Sequence, residues 1–254
     1  MTKELRVVWA LFDSETATVA KALPECEVYS FGKGSGKEHI DLDLSDFATA
    51  KKVLDTYPKP DVIFASPPCE SWVSLSIGNL NKYTKEKGLN LHWKKKWEGF
   101  DFLPRFKETR LNGINTALTL AKIIQHYKPK FWAVENGNSS LIFSYMYEFA
   151  NLIGYKNKCN YGSYKFPVHK PTIILSNKIL ALGNFSRTFL QRTQVIARRK
   201  TIEKMSGGYN AKGIKQLNYP HERSLVPPGL YRDIMRQFRF GGQPTMFDLT
   251  KEAV

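Results

Sequence analysis

Ser66-Pro67-Pro68-Cys69 follows directly on the apolar run 61–65, DVIFA. Two prolines stiffen the way out of a strand, so the Cys69 thiol is presented at a strand end in a fixed position, and a nucleophilic cysteine needs fixed position and partial exposure. A second polar triplet, Glu135-Asn136-Gly137, closes another apolar run, 130–135, KFWAVE. Its carboxyl is hemmed by Phe131, Trp132, Ala133, Val134 and Leu141. Partial desolvation raises a carboxyl's pKa, which lets it donate or share a proton with a bound base. The three cysteines, Cys26, Cys69 and Cys159, are odd in number and lack metal-ligand spacing. A disulfide framework and a zinc site are therefore not expected, and no metal is assigned.

The elements that position these groups follow from periodicity. Residues 5–12 (LRVVWALF) read as a strand, Asp13-Ser14-Glu15 supply helix-start chemistry for 16–23, and Pro24 stops that helix. Residues 27–31 form a second strand, 40–44 a minor third, and Ser45 or Asp46 caps a helix over 47–57 that Pro58 closes. The run 61–65 is a buried strand. Helical spacing over 112–127 leads into the buried strand 130–135, and a further helix spans 140–153. Residues 155–176 hold two strands around Pro167 and Pro171, and 227–238 is a helix with Leu230, Ile234 and Phe238 spaced to pack back on the domain. Alternating strands and helices predict an α/β fold with a doubly wound, mostly parallel sheet, whose ligands bind at the carboxyl ends of the strands. The loops after Phe12, Phe31, Ala65 and Glu135 then share one rim.

Length and composition agree with one sizeable domain plus an appended element: 254 residues, 42% hydrophobic, 24% charged. No apolar run is long enough to span a membrane and the amino terminus lacks a signal-peptide core, so the expected location is the cytoplasm. The unusual quantity is a formal net charge of +15. Residues 81–110 hold nine basic and four acidic side chains, and 178–239 hold thirteen basic and three acidic, which accounts for the whole surplus. Aromatic residues such as Tyr83, Trp93, Trp97, Phe189 and Tyr209 lie among those charges. Segregated positive charge with interleaved rings is the footprint of a polyanion binder. Lys94, Lys95 and Lys96 in the first stretch and Arg198 and Arg199 in the second are the candidate nucleic-acid contacts.

Pro67-Pro68-Cys69 on one strand end, Glu135-Asn136 on the next, and an aromatic strand leading to Tyr161-Gly162-Ser163-Tyr164 and Lys170-Pro171-Thr172 resemble the cytosine-5 DNA methyltransferases, most closely the short form of phages and mobile elements. The resemblance covers about 5–177 and the helix start Arg223-Ser-Leu-Val-Pro-Pro228. It implies the Rossmann-like fold of S-adenosylmethionine-dependent methyltransferases over 1–177, with 74–110 as a mobile catalytic-loop insertion. A small basic target-recognition element would occupy 178–222, and 223–254 would supply a helix packing back and a tail. It implies S-adenosylmethionine as cofactor, double-stranded DNA as partner, and Cys69 as the nucleophile that adds to carbon 6 of a flipped-out cytosine. Glu135 would engage ring nitrogen 3 and the amino group. Phe12, Asp13, Ser14, Thr16, Phe31, Asp41 and Pro67 fall at cofactor positions, with Asp43 second to Asp41 for the adenine amino group. Ser66, Asn136, His169 and Lys170 fall at substrate positions. A cognate restriction endonuclease is a compatible partner.

Three positions depart from the family pattern. The first loop, normally Phe-x-Gly-x-Gly, reads Phe12-Asp13-Ser14-Glu15-Thr16; the second strand ends in Phe31-Gly32-Lys33 where an acidic residue is usual; and His169 stands where an arginine is usual. Either the cofactor binds in an altered pocket, or the protein is a DNA-binding relative without transfer activity. A third reading is a pyrimidine-modifying enzyme acting on RNA or on modified bases.

Overall fold

Apolar side chains on both faces of the strands decide the architecture, because a strand buried on two sides needs a layer on each. The structure, a computed structural model, describes residues 5–13, 17–34, 39–69, 71–72, 104–166, 170–184 and 225–240. Its elements in chain order are β1 (Val7–Leu11), α1 (Thr18–Ala22), β2 (Glu27–Gly32), β3 (His39–Asp41), α2 (Phe47–Leu54), β4 (Val62–Ala65), α3 (Pro104–Tyr127), β5 (Phe131–Gly137), α4 (Ile142–Ala150), β6 (Tyr155–Asn160), a 3-10 turn (Tyr161–Tyr164), β7 (Pro171–Ser176) and α5 (Pro228–Phe240).

Trp9 and Leu11 of β1 join Phe31, Ile63, Ala65 and Val134 in a core covered by α2, α3 and α4. Val8 and Ala10, one residue out of step, face the opposite core with Val62, Phe64, Leu230, Ile234 and Phe238, covered by α1 and α5. Phe238 stacks on Phe131 with ring centroids 4.7 Å apart, and Tyr231 meets Phe64 edge-on at 5.2 Å. The helix after residue 227 thus packs back on the sheet as its spacing predicts, Leu230, Ile234 and Phe238 all being buried.

The seven strands lie in the order β3-β2-β1-β4-β5-β7-β6. The first five run parallel, and β7 is antiparallel to both neighbours. The α/β fold is thus built on a mostly parallel sheet with helices on both faces, as expected, and one reversed strand, β7, lies between β5 and β6. Leu11 pairs with Phe31 on one side and Ala65 on the other, and Ala65 pairs with Val134, so the carboxyl ends of β1, β2, β4 and β5 form one rim.

Several boundaries move from their expected places. The third strand spans only His39–Asp41, ending where the expected strand had just begun. Helix α3 starts at Pro104, ahead of residue 112, and so enters the stretch read as a loop insertion. Asp46, not Ser45, is the cap of α2, its carboxylate accepting from the Thr49 amide at 2.9 Å. Residues 14–16, 73–103, 167–169 and 185–224, which hold Ser14, Thr16, Lys94, Lys95, Lys96, His169, Arg198 and Arg199, lie outside the described residues. No helix among the described residues is long and apolar enough to cross a membrane.

Candidate active site

The Pro-Pro-Cys turn is bound to its neighbours at every step. Ser66 N donates to Leu11 O at 3.1 Å, carrying the β1–β4 pairing one residue past the strand end. Asn136 is buried and its Nδ2 donates to Pro67 O at 2.9 Å, which fastens the tip of β5 to the turn. Trp72 N then donates to Cys69 O at 2.9 Å, and Leu141 N to Trp72 O at 3.1 Å. Cys69 itself is exposed, whereas Cys26 is half-buried and Cys159 buried. Burial pushes the Cys159 thiol well above the usual cysteine range, so Cys159 is held as an inert thiol.

What anchors the turn from below is Trp72, with none of its surface exposed. The Arg110 guanidinium lies 4.3 Å from its ring centroid, and Tyr145 packs against it at 5.0 Å. Arg110 Nη1 donates to Ser71 O at 2.5 Å, and Ser71 Oγ donates to Thr109 O at 2.6 Å. Burial lowers the Arg110 pKa to about 10, still well above neutral, so the stacked cation keeps its charge. The chain leaving the cysteine turn and the chain entering α3 are therefore stapled together. Sequence reading missed Arg110 and Trp72, because a charge next to an indole is visible only once helix and turn are brought together.

Gly113 of α3 faces Ser71 with no room for a Cβ, which would overlap the Ser71 side chain. Alanine in a helix is worth about 0.5–1 kcal/mol over glycine, but overpacking typically costs about 1–3 kcal/mol, and Ser71 is held by two hydrogen bonds. The clash wins. Gly113→Ala is expected to destabilise the protein by about 1–2 kcal/mol and to speed labelling of Cys69 by an aromatic disulfide as the turn is displaced. Thermal melts and thiol-labelling rates check this, and an unchanged melting temperature with unchanged labelling would show that Ser71 simply retreats.

Glu135 sits in β5 beside the same turn, only 9% exposed. Tyr161 Oη donates to Glu135 Oε1 at 2.6 Å, and the Ser66 hydroxyl is a second hydrogen-bond partner. Burial raises the carboxyl above its ordinary pKa, opposed by the Lys170 charge and by those two hydrogen bonds. The Lys170 ammonium stands 4.4 Å from the Tyr161 ring centroid. The Ser66 hydroxyl also comes within 3.5 Å of Tyr231 Oη, so α5 reaches the same cluster. Ser66, Pro67, Asn136, Glu135 and Lys170 are thus brought together. Tyr161 and Tyr231 were not singled out from sequence; the Tyr-Gly pair was visible, its partner was not.

The β1–β3 tips form the neighbouring part of the rim. Phe12 takes a left-handed backbone (φ 56°), turning the chain so that Asp13 N donates to Phe31 O at 3.2 Å. Ser30 Oγ donates to Asp13 Oδ2 at 2.9 Å. Phe31 is completely buried, edge-on to Trp9 and Tyr57, so its side chain belongs to the core and only its carbonyl reaches the rim. Asp41 is exposed and accepts from Gly34 N at 3.2 Å, while Asp43 pairs with Lys33 at 2.9 Å. A Cβ on Gly32 would stand 3.1 Å from Asp13 O and 3.2 Å from His39 Cε1, so glycine lets the β1 and β3 tips pack closely against β2. His39 Nε2 lies 2.8 Å from Gly32 O, and its buried Nδ1 has no hydrogen-bond partner among the described residues.

No family model matches the chain. No curated protein matches it either. Among solved structures, the chain is similar to one described as a DNA modification methyltransferase encoded within an E. coli prophage, at 14% identity and a TM-score of 0.37, over 68% of this chain and 46% of that one. This chain therefore spans less than half the length of that protein.

Proposed function

We propose that the protein is an S-adenosylmethionine-dependent DNA cytosine-5 methyltransferase working through a covalent cysteine adduct, with Cys69 as nucleophile and Glu135 as proton donor. The observation that carries this reading is the pairing of an exposed thiol turn with a buried carboxyl, its pKa raised by burial, on adjacent strand ends, locked together by the Asn136 to Pro67 hydrogen bond.

The residues at the β1–β3 tips fit an adenosyl cofactor. Asp41 offers an exposed carboxylate, and the unsatisfied His39 Nδ1 offers a polar contact beside it. Asp13, fixed by Ser30, supplies a second carboxylate. When bound, the cofactor supplies an electrophilic methyl group to carbon 5 of the base.

The chain's own residues account for the remaining chemistry. The base must leave the stack, since sulfur cannot reach carbon 6 within a duplex. The Cys69 thiolate bonds to carbon 6; the 5,6 double-bond pair moves toward carbon 4, and the nitrogen 3 pair takes the proton of Glu135. Carbon 5 thereby becomes nucleophilic. After methylation, carbon 5 loses its proton to water, sulfur leaves carbon 6, and nitrogen 3 returns its proton to Glu135, which restores both side chains. Ser66 and Asn136 hold the two reacting groups in register.

Incubating the purified protein with tritiated S-adenosylmethionine and either DNA or RNA tests this reading. Label in DNA cytosine is the expected result. Label confined to RNA would assign the alternative pyrimidine-modifying activity, and no label together with no cofactor binding by calorimetry would leave a DNA-binding relative. Neutralising Lys94, Lys95 and Lys96 is expected to weaken DNA binding and to lower the slope of log affinity against log salt by about 2–3, with cofactor affinity unchanged. A salt slope equal to wild type would remove that stretch from the DNA-binding surface.

A further inference from the structure

Glu135 can serve as a proton donor only if its proton sits on the oxygen that meets the base. The carboxyl is faced by Tyr161 of the 3-10 turn, Lys170 before β7, Cys159 of β6, Ser66 after β4 and Tyr231 of α5. Of these, Tyr161 makes the short, directed contact to one named oxygen, Oε1, at 2.6 Å. Its ring is immobilised on several sides. It is wholly buried, meets Phe166 edge-on at 5.3 Å, and carries the Lys170 ammonium over its face. Its backbone is equally fixed, Tyr161 N donating to Lys170 O and Phe166 N to Tyr161 O, both at 3.2 Å. Asn160 caps the turn, its Oδ1 accepting from Gly162 N at 3.0 Å and Lys170 N at 3.3 Å. Burial and the adjacent Glu135 push the Tyr161 hydroxyl well above the usual tyrosine range, so it stays protonated and donates.

We infer that Tyr161 is the positioning residue for Glu135: its hydroxyl fixes Oε1 as an acceptor, so that the carboxyl's proton is carried on Oε2 and presented to the ring nitrogen of the bound pyrimidine. This inference rests on the proposed function for the identity of the base. The orientation of the carboxyl stands on the geometry alone. A donor held within a rigid shell fixes a catalytic group more closely than the group's own rotamer preferences do.

Tyr161→Phe keeps the ring and deletes the donor. In the full chain labelled with carboxyl-13C glutamate, Glu135 is identified by the signal missing from Glu135→Gln, and its titration is followed by NMR. Removing a donor to the carboxylate disfavours the charged form, so the Glu135 midpoint is expected to rise by about one pH unit in Tyr161→Phe. Phe166→Leu disturbs the same packing without touching the hydroxyl and is expected to leave the midpoint in place. In wild type, the Tyr161 ring-carbon signal is expected to shift through the Glu135 midpoint, a measurement that needs no variant to fold. In transfer assays, Tyr161→Phe is expected to lower kcat at unchanged KM for DNA and to move the alkaline limb of the pH profile upward. An unmoved Glu135 midpoint, or a Tyr161 signal blind to it, overturns the role given to Tyr161. Absence of methyl transfer by wild type overturns the functional reading and leaves the titration to judge Tyr161 by itself.

Discussion

Cys69→Ala is expected to lower methyl transfer by at least ~10³-fold, since in the proposed mechanism nothing but sulfur at carbon 6 makes carbon 5 nucleophilic. The side chain is exposed, and the turn is held through the Cys69 carbonyl and through Trp72, which alanine leaves in place. Stability is therefore expected to stay within about 0.5 kcal/mol of wild type, so the loss is chemical. DNA carrying 5-fluorocytosine gives the direct readout. Fluorine occupies the place of the proton that must leave carbon 5, elimination stops, and protein and DNA remain joined. A denaturation-resistant band is expected with wild type and with Cys26→Ser, and none with Cys69→Ala. A band that persists in Cys69→Ala would falsify its assignment as the nucleophile.

Glu135→Gln separates activity from stability in opposite directions. Glutamine keeps the side-chain shape and an oxygen for Tyr161 but has no transferable acid proton, so kcat is expected to fall by about 10²–10⁴, with KM for DNA little changed. Stability moves the other way as pH rises. The folded-state pKa of Glu135 is raised, chiefly by burial, so the folded protein prefers the protonated form. Below the ordinary glutamate pKa both folded and unfolded chains are protonated and the residue contributes fully. As pH climbs, the unfolded chain releases its proton first, and that contribution is lost up to the folded pKa. Glutamine carries no such linkage. Melting temperatures taken from acid to neutral pH are expected to diverge in favour of Glu135→Gln. Parallel curves for the two proteins would show that the carboxyl is not held protonated by the fold.

The order of elements and the placement of Cys69 and Glu135 at strand ends are legible in the amino-acid sequence. Residues 62–65 and 131–134 are short, continuously apolar and flanked by prolines, charges and polar loops, so they read as buried parallel strands, and each candidate residue follows from its place at a strand end. The charge surplus is equally legible, since it requires only counting. Boundaries are less so: nothing local in 104–111 distinguishes a helix from the end of a loop until Arg110 stacks on Trp72 and Gly113 meets Ser71.

What the chain determined by itself was the alternation of strands and helices, the two turns that bear Cys69 and Glu135, and the confinement of positive charge to two stretches. These depend on periodicity, turn chemistry and composition, all of which act over a few residues. The tertiary structure decided which groups share the carboxyl. β7 enters antiparallel between β5 and β6 and sets Ile174 against Glu135 and Thr172 against Gly137, which brings Lys170 and the Tyr161 turn beside Glu135. Such pairings join residues distant in sequence, and a one-residue slip in register would turn every side chain of the strand to the other face. No local pattern encodes that choice; it is made by the packing of the whole sheet.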